Sequence, residues 1–335
     1  MDLPLDDRLT IGIQTIHRHP EPADGPWLPR ERDGLAFVEL VDRLGFDSIW
    51  TGDHLAFAIP ILDPIVQLAQ AATYSERLTL GTCVYLLPLR HPGPVAKQIA
   101  TLDLLCGGRL IFGVGVGGEF RSDFDAAGVA MAERGARLSE SIAVLRALWR
   151  GEAASHAGRH FAFDGVTMLP APRRPGGPPI WCGGRRDPAL RRAGREADGY
   201  VSYVVTPERF QRSLATVADA YAEAGRDEAS FGSGHLLFVR LDRDFETALD
   251  VAAHHLSVRY AMDFRAAARK YCALGAPADI AAAIARFHEA GCRTVVLDPI
   301  GPYEERGEQL EAIADAVLPL LAGLRNADGD RTRSP

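Results

Sequence analysis

The sequence has few cysteines and no cysteine motif. Its five cysteines, Cys83, Cys106, Cys182, Cys272 and Cys292, include no C-x-x-C pair, and their number is odd. This pattern fits neither a disulfide framework nor a zinc cluster, so we expect no bound metal. Unpaired cysteines are typical of a reducing compartment, and we therefore expect a cytoplasmic protein.

Long apolar runs and an excess of positive charge are also missing. No stretch of 18 apolar residues occurs, and the acidic start MDLPLDDRLT lacks the apolar run of a signal peptide. The 37 basic and 44 acidic residues give a formal charge of -7. Because binding to nucleic acid or to anionic lipid requires a basic surface, we expect neither nucleic acid nor a membrane as a partner.

Several catalytic motifs are absent as well. The sequence contains no G-x-S-x-G elbow, no H-E-x-x-H pair, no Walker loop and no carboxylate cluster of the metal-binding type. Serine hydrolases, zinc peptidases and nucleotide triphosphatases therefore lack support. The chemistry must come from a bound cofactor or from loop residues.

What the sequence does contain is a regular alternation of strand-like and helical segments. Eight β-type runs are each followed by an amphipathic helical run. The runs read LTIGIQ, FDSIW, LTLGTCVYLL, RLIFGVGV, PIWC, GYVSYVV, GHLLFVRL and RTVVLD. Eight such pairs predict one α/β domain, a closed (β/α)8 or TIM barrel, over residues 1–325, with a doubly wound parallel sheet as the alternative. The last ten residues, 326–335, predict a disordered tail.

Two segments are longer than such a barrel requires. They run roughly over 155–178, which ends in PAPRRPGGPP, and over 254–275, which includes His254, His255 and Arg259. Because long loops of these barrels lie at the C-terminal face of the strands, we expect loop insertions there that act as substrate walls. A plain surface excursion is the alternative for each.

Two glycine-rich turns follow candidate strands. GVGVGG satisfies the dinucleotide-binding pattern G-x-G-x-x-G at Gly113, Gly115 and Gly118. That fingerprint also requires a helix directly after the glycines and an acidic residue at the end of the next strand. The following segment, EFRSDFDAAG, is a poor helix opening, and no such acidic residue follows, so a dinucleotide site is disfavoured. Glycines at a strand end also let a flat ring or a phosphate approach the backbone. The second turn places Gly183 and Gly184 before a helix near Asp187, which predicts an anion site; an ordinary glycine turn is the alternative.

The run TGDHL ends the second predicted strand, where a barrel presents catalytic side chains. It places Asp53 and His54 at the expected site. Histidine can donate, accept or shuttle a proton near neutral pH, and a neighbouring carboxylate can orient it. We therefore predict a catalytic role for His54, with a purely structural histidine as the alternative.

Four segments together resemble a known family. They are GFDSIWTGDH (45–54), the run from LTLGTCVYLL to FGVGVG (78–117), ERGARLSESIAVLRALWRG (133–151) and PPIWCGGRRDPALRRAGREADGY (178–200). In this order they are similar to the bacterial luciferase-like monooxygenases, barrel enzymes that depend on flavin or deazaflavin. The resemblance spans nearly the whole chain, and it implies an oxidoreductase and a homodimer formed through barrel helices.

The resemblance also implies roles for single residues. His54 would act in catalysis together with Glu119, which corresponds to an acidic residue after the glycines of the fourth strand. Cys83 and Val84 match a pair that a non-proline cis peptide joins in deazaflavin members. The implied cofactor-binding residues are Asp53, Cys83, Val84, Gly117, Gly183, Gly184, Arg185 and Thr206. The strand-end pocket for the substrate is predicted around His17, Phe57, Tyr85 and Leu86.

Two mechanisms fit this family. In the first, FMN reduced by a partner flavin reductase activates oxygen and a small organic substrate is oxygenated, which requires an apolar pocket that excludes water. In the second, a deazaflavin, the 8-hydroxy-5-deazaflavin coenzyme, exchanges a hydride with an alcohol, imine or alkene. The apolar walls predicted around Tyr85 and Leu86 favour the monooxygenase; the Cys83–Val84 pair and the arginines of 185–195 favour the deazaflavin. A non-catalytic flavin-binding member is the alternative of another class.

Overall fold

The structure is a computed structural model that describes residues 3–15 and 29–326. The predicted pocket residue His17 and residues 327–335 of the predicted tail lie outside the described residues. Eleven strands are present in the described part: β1 (Thr10–Gln14), β2 (Ser48–Thr51), β3 (Thr79–Thr82), β4 (Leu110–Val114), β5 (Ala154–Ala157), β6 (Ala162–Val166), β7 (Ile180–Gly183), β8 (Gly199–Tyr203), β9 (Gly232–Leu241), β10 (Ala273–Gly275) and β11 (Thr294–Pro299).

Helices follow the strands. In chain order they are α1 (Glu31–Arg43), α2 (Pro64–Tyr74), α3 (Pro92–Leu105), α4 (Arg121–Ala127), α5 (Arg134–Leu148), α6 (Asp187–Glu196), α7 (Pro207–Glu223), α8 (Phe245–Tyr260), α9 (Arg265–Tyr271), α10 (Pro277–Glu289), α11 (Arg306–Ala316) and α12 (Ala322–Arg325). Some of the helices begin at a capping side chain. The Asp63 side chain, for example, accepts hydrogen bonds from the backbone N–H groups of Ile65 and Val66 at the start of α2.

Eight of the strands form a closed parallel barrel. The order is β1-β2-β3-β4-β7-β8-β9-β11, and β11 pairs in parallel with β1 to close the ring. Every strand-like run read from the sequence overlaps one of these barrel strands, with ends that agree to within two residues in FDSIW and β2, for example. The (β/α)8 prediction is therefore confirmed, and the doubly wound alternative is wrong because an open sheet would not pair its first and last strands.

Two tryptophans fill the barrel interior. Trp50 of β2 and Trp181 of β7 lie with ring centroids 5.6 Å apart, and both are buried. Gly81 of β3 faces the Trp50 ring so closely that a Cβ atom there would collide with it. Since these side chains fill the interior, a ligand that enters this barrel would have to bind toward the ends of the strands.

The two long segments differ in position. The first forms the β5–β6 hairpin, whose His160 and Phe161 N–H groups bond to Glu140 of α5 at 2.8–3.0 Å, and none of its residues lines the main cavity. It is a surface excursion rather than a substrate wall. The second comprises the end of α8, α9 and β10, and β10 extends β9 beyond the barrel. Its Arg259 and Tyr260 line the cavity, so this insertion does lie at the C-terminal face.

One prediction about local structure is wrong. The segment EFRSDFDAAG, which we interpreted as a poor helix opening, contains α4, a helix of seven residues. Gly128 ends this helix in a left-handed conformation with φ at 65°. The dinucleotide fingerprint is nevertheless not met, because the next element along the chain is helix α5 and not a strand with an acidic end.

Candidate active site

A cavity of about 630 Å³ opens at the C-terminal ends of the barrel strands. Four of the predicted cofactor-binding residues that follow or end different strands, Asp53, Cys83, Gly117 and Gly183, line it. The other strand-end lining residues include Gln14 of β1, His54 after β2, Val84 after β3, Glu119 after β4, Arg185 after β7, Tyr203 of β8, Phe238 of β9 and Asp298 of β11. All eight barrel strands thus contribute to the cavity, whose size is typical of small-molecule sites.

His54 lies on the cavity wall and forms a hydrogen-bonded pair with Asp123. The distance from His54 Nδ1 to Asp123 Oδ2 is 2.8 Å, and the side chains are 18% and 1% exposed. Because a carboxylate only accepts hydrogen bonds, this contact places the proton of the imidazole on Nδ1. Nε2 is then the nitrogen with a free lone pair, and it can accept a proton or, once protonated, donate one.

Asp123 also fixes the loop that carries His54. Its Oδ1 atom accepts hydrogen bonds from the backbone N–H groups of Leu55 at 2.7 Å and of Ala56 at 2.8 Å. The sequence reasoning missed this residue, because it lies in the first turn of α4, which was not predicted as a helix. An acidic residue in the first turn of a short helix after the glycine run was the only local signal.

Asp53 does not orient His54, contrary to the interpretation of the TGDHL run. Its carboxylate pairs with both terminal nitrogens of Arg90, one of them at 2.9 Å, and accepts a hydrogen bond from Leu86 N at 2.8 Å. Although Asp53 borders the cavity, all of these contacts join the loop after β2 to the loop after β3. The Asp53–Arg90 pair thus fixes the shape of the rim.

Glu119 lies across the mouth of the cavity from the loop after β7. Its carboxylate is 3.8 Å from the guanidinium of Arg185. Partial burial raises the pKa of Glu119, and the positive charges of Arg185 and His54 oppose this rise. Glu119 is therefore a second group at the cavity that can exchange a proton.

Val84 is an apolar part of the cavity lining, and we call the lining around it the floor of the cavity. The peptide bond between Cys83 and Val84 is cis, as the family resemblance implied. The Val84 side chain packs closely against two glycines. A Cβ atom on Gly183 would lie 2.8 Å from Val84 Cγ1, and a Cβ atom on Gly115 would collide with Val84 Cγ2. Burial raises the pKa of the Cys83 thiol to about 12, so this group is not a nucleophile.

Three arginine side chains lie at the end of the cavity that contains Gly183 and Gly184. Arg185 and Arg186, which precede α6, line the cavity together with Arg134 of α5. The arginines farther along α6 do not contribute, since Arg191 and Arg195 pair with Glu223 at 3.4–3.5 Å, outside the cavity. The predicted phosphate region therefore contains three arginines, fewer than the sequence stretch 185–195 suggested.

Two predicted residues have structural positions instead. Thr206 accepts a hydrogen bond from Arg209 N, caps α7 and is not part of the cavity lining. Tyr85 is 2% exposed and packs in the core against Phe112, with ring centroids 5.3 Å apart. Of the predicted substrate-pocket residues, Phe57 and Leu86 do line the cavity.

The residues present fit a bound tricyclic ring with a phosphate. The floor at Val84 is apolar, the glycines after β7 leave the backbone accessible, and three arginines lie at the same end. In addition, the buried Oε1 atom of Gln14, a lining residue, has no hydrogen-bond partner among the described residues. Such an orphaned acceptor at the floor suits the N–H edge of a flavin-type ring.

Within residues 3–15 and 29–326, no helix is long and apolar enough to cross a membrane. The same residues contain no group of three or more histidine, cysteine and acidic side chains that could hold a metal ion.

Comparison with known proteins identifies a family. Residues 10–318 match the family model of luciferase-like monooxygenases. A phthiodiolone/phenolphthiodiolone dimycocerosates ketoreductase of Mycobacterium tuberculosis is 34% identical over 212 residues, which cover 56% of this chain and 55% of the relative. The match thus spans about half the length of that curated relative.

Solved structures share the fold. A monooxygenase from Streptomyces bottropensis superimposes with a TM-score of 0.79 at 26% identity, covering 93% of this chain and 99% of the other. An F420-dependent secondary alcohol dehydrogenase, solved with an F420-acetone adduct, gives a TM-score of 0.80 at 18% identity and the same coverages. A third neighbour, the oxygenating constituent of 3,6-diketocamphane monooxygenase from Pseudomonas putida, was solved in complex with FMN and gives a TM-score of 0.72 at 18% identity, covering 93% of this chain and 98% of the other.

Proposed function

Because the chain belongs to the luciferase-like monooxygenase family and is an oxidoreductase, we propose that it interconverts a ketone and a secondary alcohol with a deazaflavin as its cofactor. The observation that carries this proposal is the His54–Asp123 pair, which lies on the cavity wall and has Nε2 of His54 free to exchange a proton. When bound, the deazaflavin would supply the hydride to the carbonyl carbon or accept it from the alcohol.

The proton balance assigns His54 its role. Reduction of a ketone to an alcohol consumes one hydride at carbon and one proton at oxygen. Protonated His54 donates that proton from Nε2, while the Asp123 carboxylate holds Nδ1–H and stabilises the positive charge of the imidazolium. In the reverse direction, neutral His54 accepts the proton of the alcohol. Glu119 lies close enough to His54 and Asp123 to feel their charges and can exchange protons with solvent.

In this proposal, several other predicted site residues bind the cofactor and orient its ring. Gly183, Gly184 and Arg185 hold the cofactor phosphate at the start of α6, and Val84 supports the ring from below. Two known proteins support the assignment: the mycobacterial relative is called a ketoreductase, and the F420-dependent neighbour is a secondary alcohol dehydrogenase.

A two-component FMN monooxygenase is the second candidate. The Streptomyces monooxygenase, similar over 93% of this chain, favours it. The sequence analysis gave oxygen chemistry some preference because of the apolar wall expected around Tyr85. Tyr85 itself packs in the core, but Phe57 and Leu86 line the cavity, so apolar surroundings are present for either reaction. The hydride-transfer proposal comes first because the His54–Asp123 pair can supply the proton that ketone reduction requires.

The test compares both cofactors on one preparation. Purified protein is titrated with F420 and with FMN, and the reduced complexes are then mixed with methyl ketones in the absence and presence of oxygen. We expect tight F420 binding and ketone-dependent reoxidation without oxygen. Substrate oxygenation that requires FMN and oxygen would instead support the second candidate and contradict the first.

A further inference from the structure

We infer that the substrate is a neutral ketone, or the matching secondary alcohol, whose carbonyl carbon bears an extended apolar chain. This inference rests on the proposed function, since it names the substrate class of the same cavity. It depends on how polarity is distributed over the cavity wall and on the side chains that continue this wall at the surface.

One side of the cavity is apolar. The connection between β2 and α2 contributes Phe57, Ile59, Pro60 and Ile61 to the lining, and the end of α8 contributes Tyr260. The rings of Phe57 and Tyr260 approach edge to face with centroids 6.1 Å apart, so the two elements form one continuous surface. We call this group of five residues the apolar wall. Phe57 also stacks on His54 at 4.3 Å, which places the apolar wall directly beside the proton-transfer group.

The apolar character continues outside the cavity along the same two elements. Leu55, which follows His54, is 44% exposed, and Met262, two residues after Tyr260, is 60% exposed. Each of these side chains follows a cavity-lining residue closely along the chain, and covering it with an apolar ligand would remove apolar surface from water, which is favourable. A substrate that reaches from His54 along the apolar wall would cover both side chains.

The charges near the apolar wall are neutralised within the protein. Arg259 of α8 forms an ion pair with Asp298 at 2.7 Å, and both side chains are at least nine-tenths buried. Asp53 is paired with Arg90 in the same way. A charged substrate group on this side would lose its hydration, and these two ion pairs already satisfy the charged residues Asp53, Arg90, Arg259 and Asp298 of the described structure, so we expect the wall to select a neutral molecule.

The cationic residues belong to the other side of the cavity. Arg134, Arg185 and Arg186 come from α5 and from the turn after β7, where the phosphate is proposed. The cavity therefore separates a polar half, suited to the cofactor phosphate, from an apolar half beside His54. Two ligands of different polarity fit this division better than one.

The experiment measures binding and not turnover. A series of methyl ketones from 2-hexanone to 2-dodecanone is titrated by calorimetry into the protein, with and without oxidised F420, since an oxidised cofactor and a ketone do not react. We expect the affinity to rise about fourfold per methylene group while the chain lies on the apolar wall. A ketone of the same length that ends in a carboxylate should bind at least about tenfold more weakly.

Matched variants locate the effect. The double variant Ile59→Thr/Ile61→Thr should weaken 2-decanone binding about tenfold and flatten the dependence on chain length, while F420 affinity stays unchanged. Val66→Thr makes a closely similar change at a side chain that is outside the cavity lining and whose residue is 68% exposed, and it should leave binding unchanged.

The outcomes separate this inference from the proposed function. Affinity that is independent of chain length, a carboxylate-ended ketone that binds equally well, or loss of F420 binding in the double variant would each overturn the inference. A clear chain-length dependence supports it even if no ketone is reduced, in which case only the proposed redox reaction fails.

Discussion

Replacing Asp123 by asparagine tests the proposed proton transfer most directly. The asparagine oxygen can still accept the hydrogen bonds of Leu55 N and Ala56 N, so the loop should keep its place. The amide NH₂ group, however, donates where Asp123 Oδ2 accepts, and His54 must then turn its Nδ1 lone pair toward it. Nε2 would carry the proton permanently, and no negative charge would stabilise the imidazolium.

The magnitude follows from the lost contact. A hydrogen bond to a charged group contributes about 1.5–3 kcal/mol, and Asp123 is 1% exposed, so solvent does not replace it. At 1.36 kcal/mol per tenfold change, kcat should fall between about tenfold and about 150-fold, or further if the wrong tautomer blocks proton transfer entirely. The cofactor dissociation constant and the urea midpoint should change little.

The assay is stopped-flow reoxidation of the reduced cofactor complex by a ketone, together with cofactor titration and urea unfolding. Asp125→Asn is the matched control, because Asp125 lies on the same helix and pairs only loosely with Arg121, at 3.6 Å with both side chains exposed. A correctly folded Asp123→Asn protein with wild-type kcat would refute the proton-transfer role of the His54–Asp123 pair. His54→Ala should then also retain full turnover.

Three further outcomes are expected. Gly184→Asp should abolish cofactor binding in titrations, because a Cβ atom there would collide with the start of α6 and the added negative charge would repel a phosphate. The control variant Gly225→Asp, whose side chain would extend into open space, should bind the cofactor as the wild type does. Arg90→Met should lower the free energy of unfolding in urea by about 3–5 kcal/mol, since it leaves the Asp53 carboxylate buried without its partner; a loss below 1 kcal/mol would contradict this. Burial lowers the pKa of His235 to about 3, below its ordinary value of 6.5. The unfolded chain therefore binds this proton at a higher pH than the folded protein does, and the free energy of unfolding falls as the pH drops below 6.5. Between pH 7.5 and pH 5 this residue should account for a loss of about 2 kcal/mol, which His235→Phe should not show in parallel urea titrations.

Local patterns were sufficient for the barrel. The eight strand-like runs are buried on both faces in a parallel sheet, so each reads as a short apolar segment. Some helix starts also carry a capping side chain, as at Asp63 and Asp244. These signals lie within a few residues of the structure that they predict. Helix α4 was not predicted, because a helix of seven residues with no side-chain cap offers almost no such signal.

The site was predicted less completely, for a reason that Tyr85 and Leu86 illustrate. The two residues are neighbours at the end of β3, yet Leu86 lines the cavity while Tyr85 packs in the core. Successive side chains of an extended backbone point to opposite sides, and the sequence does not state which side faces the cavity once the strand ends.

By itself, the sequence predicted the closed barrel, the strand ends that carry Asp53, His54 and Gly183, and the glycine turns, because all of these follow from local periodicity and from the geometry common to such barrels. The position of Val84 at the site came from the family resemblance. Only the tertiary structure decided which partner each polar side chain takes. His54 bonds to a residue 69 positions away and Asp53 to one 37 positions away. Such pairs depend on how separate loops are brought together over the barrel rim, and no pattern within either loop encodes that distance.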